Sequence, residues 1–303
     1  MNPCADTRHP RRRALTQLLG LCGVAAGMHP SRAAEAGEPC ELPHRLRLAF
    51  IPKNRDEAQV GGYRQLAQAL AQVLGMPVDV VPGASYSAVV QGLQAGRIDV
   101  AELGPATYVQ MQRSGAAARP VAAMVKQPGV LTRYHALLIV RSTSRFRRWQ
   151  DLRGATLNLV DPASTSGALL PRQAMQTQAG MQLEDYFSRV AYAGSHSRAI
   201  AAVHDGLVDA AFVSSDSLAL AQQRRAVAAG ALRTLWKSPP LPTDPLVVRR
   251  KLCPALQERL RLAFLGQQPL LMPALQLLGK QGLVAVDESD YAQVAGMLGL
   301  SAP

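Results

Sequence analysis

The chain is expected to fold as an α/β protein of two lobes, each a mainly parallel sheet flanked by helices. Three observations lead there. Strand-like and helix-like segments alternate, which implies parallel pairing through crossover connections. The alternation breaks near residue 133 and restarts. A stretch with four prolines, Ser238-Pro-Pro-Leu-Pro-Thr-Asp-Pro245, then interrupts it again; proline fixes φ and restrains its predecessor, so this stretch reads as a stiff crossing.

The first 36 residues read as an export signal. Arg11-Arg-Arg13 precedes an apolar run from Ala14 to Gly27, and Ala34-Glu-Ala36 offers a small-x-small cleavage site. Arg12-Arg13-Ala14-Leu15 suits the twin-arginine route. The run is shorter than the roughly 20 residues a membrane span needs, and Leu21 before Cys22 argues against a lipid anchor. Cleavage near Ala36 places the protein in the periplasm. Of the 33 basic and 21 acidic residues, 28 and 19 follow residue 36, a net charge of +9. These bases are scattered with few aromatics among them, which disfavours nucleic acid as a partner. Attraction of a small anion is the simpler use of the charge. Cys40 and Cys253 follow the signal; the sequence leaves open whether they pair. Neither has a metal-ligand neighbour, and no metal or other cofactor is expected.

The elements follow in order. Leu46–Ile51 reads as a strand, and Tyr63–Leu74 as a helix closed by Gly75. Val78–Val81 is a strand, Tyr86–Leu93 a helix ending at Gly96, and Ile98–Leu103 a strand before a helix that Pro105 opens. After the break, Tyr134–Val140, Thr156–Val160, Arg189–Ala193 and Ala210–Val213 read as strands, and Ala231–Lys237 as another before the prolines. Leu246–Val248 and several helices finish the chain. Lobe I then takes residues 44–133 and 242–303, and lobe II takes 134–241.

Asp161-Pro-Ala-Ser-Thr-Ser-Gly167 is the most informative stretch, because it lies between the strand Thr156–Val160 and a helix over Ala168–Ala179. First-turn amides lack intrahelical acceptors and the helix dipole favours negative charge there, so hydroxyls at that point suit an oxyanion. An ordinary N-cap would use the same residue types. Tyr86, His196 and Asp216 also fall where strands give way to helices, the edge on which ligands bind in open α/β sheets. A hydrolytic triad of Ser166, His196 and Asp216 is disfavoured by the lack of a Gly-x-Ser-x-Gly elbow.

Several motifs together carry a family resemblance: Asp161–Gly167 with Pro171, Ala193-Gly-Ser-His196, Ala202-Val-x-x-Gly-x-x-Asp209, Leu103-Gly-Pro-Ala-x-Tyr108, the approach from Gly129 to Tyr134, and Trp236–Pro245. In order and spacing the chain resembles the phosphate/phosphite/phosphonate-binding proteins of ABC importers, from about Leu46 to Tyr291. The resemblance implies a type II periplasmic binding protein that closes on a phosphorus oxyanion and delivers it, as a monomer, to an inner-membrane permease. It implies that Ser164, Thr165, Ser166 and the Gly167 amide hold the oxyanion. Tyr86 and Tyr134 then close over it, His196 lines the pocket with a charge that changes near neutral pH, and Asp216 and Asp244 receive an ammonium group where the ligand has one. The paired carboxylates favour an aminoalkylphosphonate; phosphate, phosphite and methylphosphonate stay open. Glu102 has no clear role in the resemblance, and no buried lysine or arginine is required. Ser197 stands where relatives often carry an acidic residue, and the loop Pro52–Glu57 is unusually charged. The competing function is a sensory module that presents ligand to a separate receptor kinase.

Overall fold

The computed structural model describes residues 39–54, 56–115 and 117–300; the expected export signal, with its twin-arginine pattern and Cys22, lies outside them. Among the described residues, thirteen strands form two principal sheets and a short ribbon. In chain order they are β1 (Leu46–Phe50), β2 (Val78–Pro82), β3 (Val100–Glu102), β4 (Ala118–Val125), β5 (Arg133–Tyr134), β6 (Ala136–Arg141), β7 (Thr156–Leu159), β8 (Arg189–Tyr192), β9 (Ala210–Ser214), β10 (Leu232–Lys237), β11 (Leu241–Pro242), β12 (Pro245–Arg249) and β13 (Gly282–Ala285).

The first sheet has the order β13-β4-β12-β3-β1-β2 and the second β10-β6-β9-β7-β8. Both are mixed rather than mainly parallel. Pairs β1–β2, β1–β3, β7–β8 and β7–β9 are parallel, whereas β12 is antiparallel to both β3 and β4, and β6 to both β9 and β10. The cause is the double crossing. The chain leaves the first sheet after β4, builds the second, and returns through β12, which inserts between β3 and β4 and runs against both. Where the crossings pass each other, Arg133–Tyr134 pairs antiparallel with Leu241–Pro242.

Alternation sorts each strand's side chains between two layers. Leu46, Leu48 and Phe50 of β1 pack with Tyr63, Leu66 and Leu70 of the helix Glu57–Leu74, while Ala49 and Ile51 face Val89 and Leu93 on the other side. That helix starts where the Asp56 side chain accepts the Gln59 N–H at 2.7 Å and stops at Gly75, whose φ of 61° is left-handed. β4 and β13 escaped prediction. Ala118-Arg-Pro-Val-Ala-Ala-Met-Val125 is alanine-rich and carries Pro120, a composition that local strand preference does not favour. Pro120 sits where β4 slips register against β12, a bulge being one of the few places a sheet interior admits proline.

Cys40 and Cys253 form a disulfide. Beside it Glu41 bridges to Leu252, and buried Arg249 pairs with Glu41 and Asp99. The described N-terminal segment is thereby fastened to the end of β12. Among the described residues no helix is long and apolar enough to cross a membrane.

Candidate functional site

The C-terminal ends of β1, β3, β7 and β9 converge on one cavity of about 140 Å³. Tyr86, Tyr134, Ser164, Thr165, Ser166, His196, Asp216 and Asp244 all line it.

The hydroxyl cluster arises as its sequence position suggests, with one local deviation. Helical structure begins at Thr165, but Thr165–Leu169 forms a wide π turn before the α-helix Leu170–Ala179. Ser164 caps it, its Oγ accepting the Gly167 N–H at 3.2 Å. The Gly167 amide is therefore spent inside the cap, and Gly167 is not part of the cavity wall, contrary to its expected contact with ligand. Its lack of a side chain serves packing: a Cβ there would lie 2.5 Å from Val160 Cβ. Thr165 Oγ1 accepts the Ala106 N–H at 3.0 Å from the helix Pro105–Arg113, on the side of the first sheet. Gly104 permits that approach, since a Cβ would sit 2.6 Å from Thr165 Oγ1. Because both oxygens act as acceptors in these bonds, the Ser164 and Thr165 protons remain available to donate.

Tyr86 and His196 each open a helix, Tyr86–Gln94 and His196–His204, after the serine N-caps Ser85 and Ser195. Tyr86 is buried, and its hydroxyl has no hydrogen-bond partner of good geometry among the described residues, with Ser164 as a near neighbour. A buried unpaired hydroxyl at a cavity wall is a donor in want of an acceptor. The Tyr134 hydroxyl makes one long bond to Asp244 Oδ1, at 3.4 Å. His196 Nδ1 accepts the Ser214 N–H at 3.1 Å, which leaves the ring proton on Nε2 when the ring is neutral. Burial, then the neighbouring Lys53 charge, depress its pKa to about 3. It is a neutral donor throughout the physiological range, not the group whose charge changes near neutrality that the sequence suggested.

The cavity also holds cations that the sequence reading did not require. Lys53, directly after β1, extends its ammonium to 2.8 Å from Glu102 and 2.5 Å from Asp244. Burial works against that charge, but Asp244 and then Glu102 outweigh it and raise the pKa. Glu102, only 2 % exposed, also accepts the Tyr63 hydroxyl at 2.5 Å. On the opposite wall Asp216 lies 2.9 Å from Lys126; Ser214, rather than Asp216, caps its helix Ser215–Gln223. Lys280 shares the cavity, its pKa lowered by burial and by Lys53. The sequence reading missed Lys53, Lys126 and Lys280. Lys53 had a signal: it follows a strand at the ligand-binding edge, in the loop already marked as unusually charged.

Further bonds join elements of the two sheets around this cavity. Tyr86 N–H reaches Asp161 at 3.4 Å, His196 N–H donates to the Lys53 carbonyl at 2.8 Å, Ser197 donates to the Asn54 carbonyl at 2.5 Å, and Arg224 pairs with Asp56 at 2.5 Å. Among the described residues no group of histidines, cysteines and carboxylates is arranged to hold a metal.

Two mixed sheets joined by a ribbon of crossings, with the cavity between their strand ends, make the two-lobed type II architecture of periplasmic binding proteins. A solved binding-protein component of an ABC phosphonate transporter from Pseudomonas aeruginosa superposes with a TM-score of 0.76 at 23 % identity, covering 84 % of this chain and 85 % of that one. Residues 48–291 match the family of periplasmic substrate-binding proteins of phosphonate ABC transporters, and the chain belongs to it. It is 26 % identical over 231 residues to the phosphate-import protein PhnD of Mycolicibacterium smegmatis, with 74 % of this chain and 72 % of the relative covered. It is 27 % identical over 274 residues to the phosphonates-binding periplasmic protein of Escherichia coli, covering 88 % and 77 %.

Proposed function

We propose that the protein binds a phosphonate or related phosphorus oxyanion in the periplasm by lobe closure and presents it to an ABC permease of the inner membrane. One observation carries this reading. The hydroxyl-bearing helix start at Ser164–Ser166 shares a small cavity with Tyr86, Tyr134 and the neutral His196. In that arrangement the ligand oxygens take the Ser164, Thr165 and Ser166 hydroxyls, the Tyr86 hydroxyl and His196 Nε2–H, while the helix terminus adds partial positive charge. A cavity of about 140 Å³ suits a ligand of a few heavy atoms, being smaller than the ~300 Å³ at which drug-sized pockets begin.

In this reading lobe I comprises residues 44–133 and 242–303 and lobe II residues 134–241, and they move about the ribbon of Arg133–Tyr134 and Leu241–Pro242. The protein is exported by a twin-arginine signal cleaved near Ala36 and works as a monomer. Asp216 and Asp244 act on the ligand through the lysines they hold. No catalysis is assigned: His196 Nδ1 accepts a backbone amide and Asp216 engages Lys126, so Asp216 cannot orient the imidazole as a triad requires.

Calorimetric titration with methylphosphonate, phosphite and phosphate tests the reading. Thr165→Ala with Ser166→Ala should weaken binding by at least ~100-fold, since hydrogen bonds to a charged group contribute about 1.5–3 kcal/mol each, with far-UV circular dichroism unchanged. Unaltered affinity in this double variant refutes the assignment. Co-purification with a permease, rather than with a receptor kinase, separates transport from ligand presentation to a sensor.

A further inference from the structure

We infer that this cavity selects phosphorus oxyanions that carry no ammonium group, because the protein's own lysines occupy the carboxylates that would receive one. The inference deepens the proposed function and rests on it.

Four carboxylates line the cavity, Asp56, Glu102, Asp216 and Asp244, and Arg224 holds the first of them at 2.5 Å. Taken alone these carboxylates would invite a cationic ligand group, as the family resemblance implies for Asp216 and Asp244. Each is already paired. Lys53 lies between Glu102 and Asp244, within 2.8 Å of both, and Lys126 lies 2.9 Å from Asp216. Hydroxyls complete the coordination, Tyr63 donating to Glu102 and Tyr134 to Asp244. Lys280 adds a third lysine and has no carboxylate partner within 4.0 Å among the described residues.

Three lysines and Arg224 thus face the four carboxylates before any ligand enters. A ligand ammonium would have to displace Lys53 from the wall or lie against like charges where burial weakens screening. An amine-free phosphonate, phosphite or phosphate meets no such opposition. Its negative charge is instead favoured by the lysines and by the helix terminus. Lys53 in effect supplies, from the protein, the ammonium that an aminoalkylphosphonate would bring.

The test uses two ligands of nearly equal size, propylphosphonate and 2-aminoethylphosphonate, which end in a methyl and an ammonium group. Titration calorimetry at neutral pH should show propylphosphonate binding at least ~10-fold more tightly, because juxtaposing like charges costs more than one decade of affinity. Equal or tighter binding of the amine overturns the inference. Binding of methylphosphonate and phosphite alone, with both longer ligands refused, also overturns it, since size and not charge would then be the filter. Failure of every phosphorus oxyanion to bind would instead remove the proposed function itself.

Lys53→Met should move the preference toward the amine by at least ~10-fold, as Glu102 and Asp244 become free to pair with it. An unchanged preference in the folded variant counts against the inference. Should that variant fail to fold, Lys126→Gln frees Asp216 at the more exposed wall and should shift the preference the same way by about threefold; no shift there overturns the inference equally.

Discussion

His196 shows how far a residue's surroundings can outrun its type. A histidine at a helix start beside a cleft reads as a group that titrates near neutrality, and its ordinary pKa is 6.5. Here burial and the Lys53 charge bring it to about 3. Between these values the unfolded chain holds a proton that the folded chain refuses, so stability rises with pH across that window. Stability tied to this group is complete above pH 6.5 and declines as pH falls toward 3. His196→Gln should flatten the acid limb of stability against pH, by at most about 1.4 kcal/mol per pH unit. Urea titrations from pH 4 to 7 check this; an acid limb as steep as that of the wild type contradicts the neutral assignment. The lysines teach a related lesson. Lys53 stands in a charged loop that looks solvated in one dimension, and its partners Glu102 and Asp244 lie 49 and 191 positions further along the chain. No local pattern joins three such distant residues.

At the scale of elements, the helix start after β7 was legible because its chemistry is local. A strand-like run, a proline, three hydroxyl residues and a glycine specify a capped helix opening at a strand's end. What the pattern did not reveal was the widened first turn, or that the glycine belongs to packing rather than to the ligand. Gly167→Ala should therefore destabilise the fold by about 1–3 kcal/mol through overpacking against Val160, measured as a lowered midpoint of thermal or urea unfolding. A neutral effect would mean that Val160 yields readily and that glycine is not required there. β4 was illegible for the opposite reason. Its alanines and Pro120 carry little strand preference, and its place between β12 and β13 comes from pairing with segments more than 100 residues further along. Tertiary pairing overrode local preference, and with it the expectation of mainly parallel sheets.

For the whole molecule, the bonds that link the two sides of the cavity suggest how closure would be held. Thr165 takes an amide of Ala106, Thr107 donates to the carbonyl of Ala163, and Lys126 and Arg224 pair with Asp216 and Asp56. These contacts are polar, and in the proposed closure a ligand that bridges the lobes supplies the bias toward the closed state. Small-angle scattering should then report a smaller radius of gyration at saturating ligand; an unchanged radius at proven saturation argues against the motion. The sequence by itself determined the alternating α/β rhythm, the two crossings and the anion-suited helix start, because periodicity, proline and capping act over a few neighbouring residues. Only the tertiary structure decided the antiparallel insertion of β12, the pairing of Cys40 with Cys253 and the engagement of each cavity carboxylate with a lysine or arginine. Those outcomes depend on which distant segments meet in space, and on what burial does to their charges once they have met.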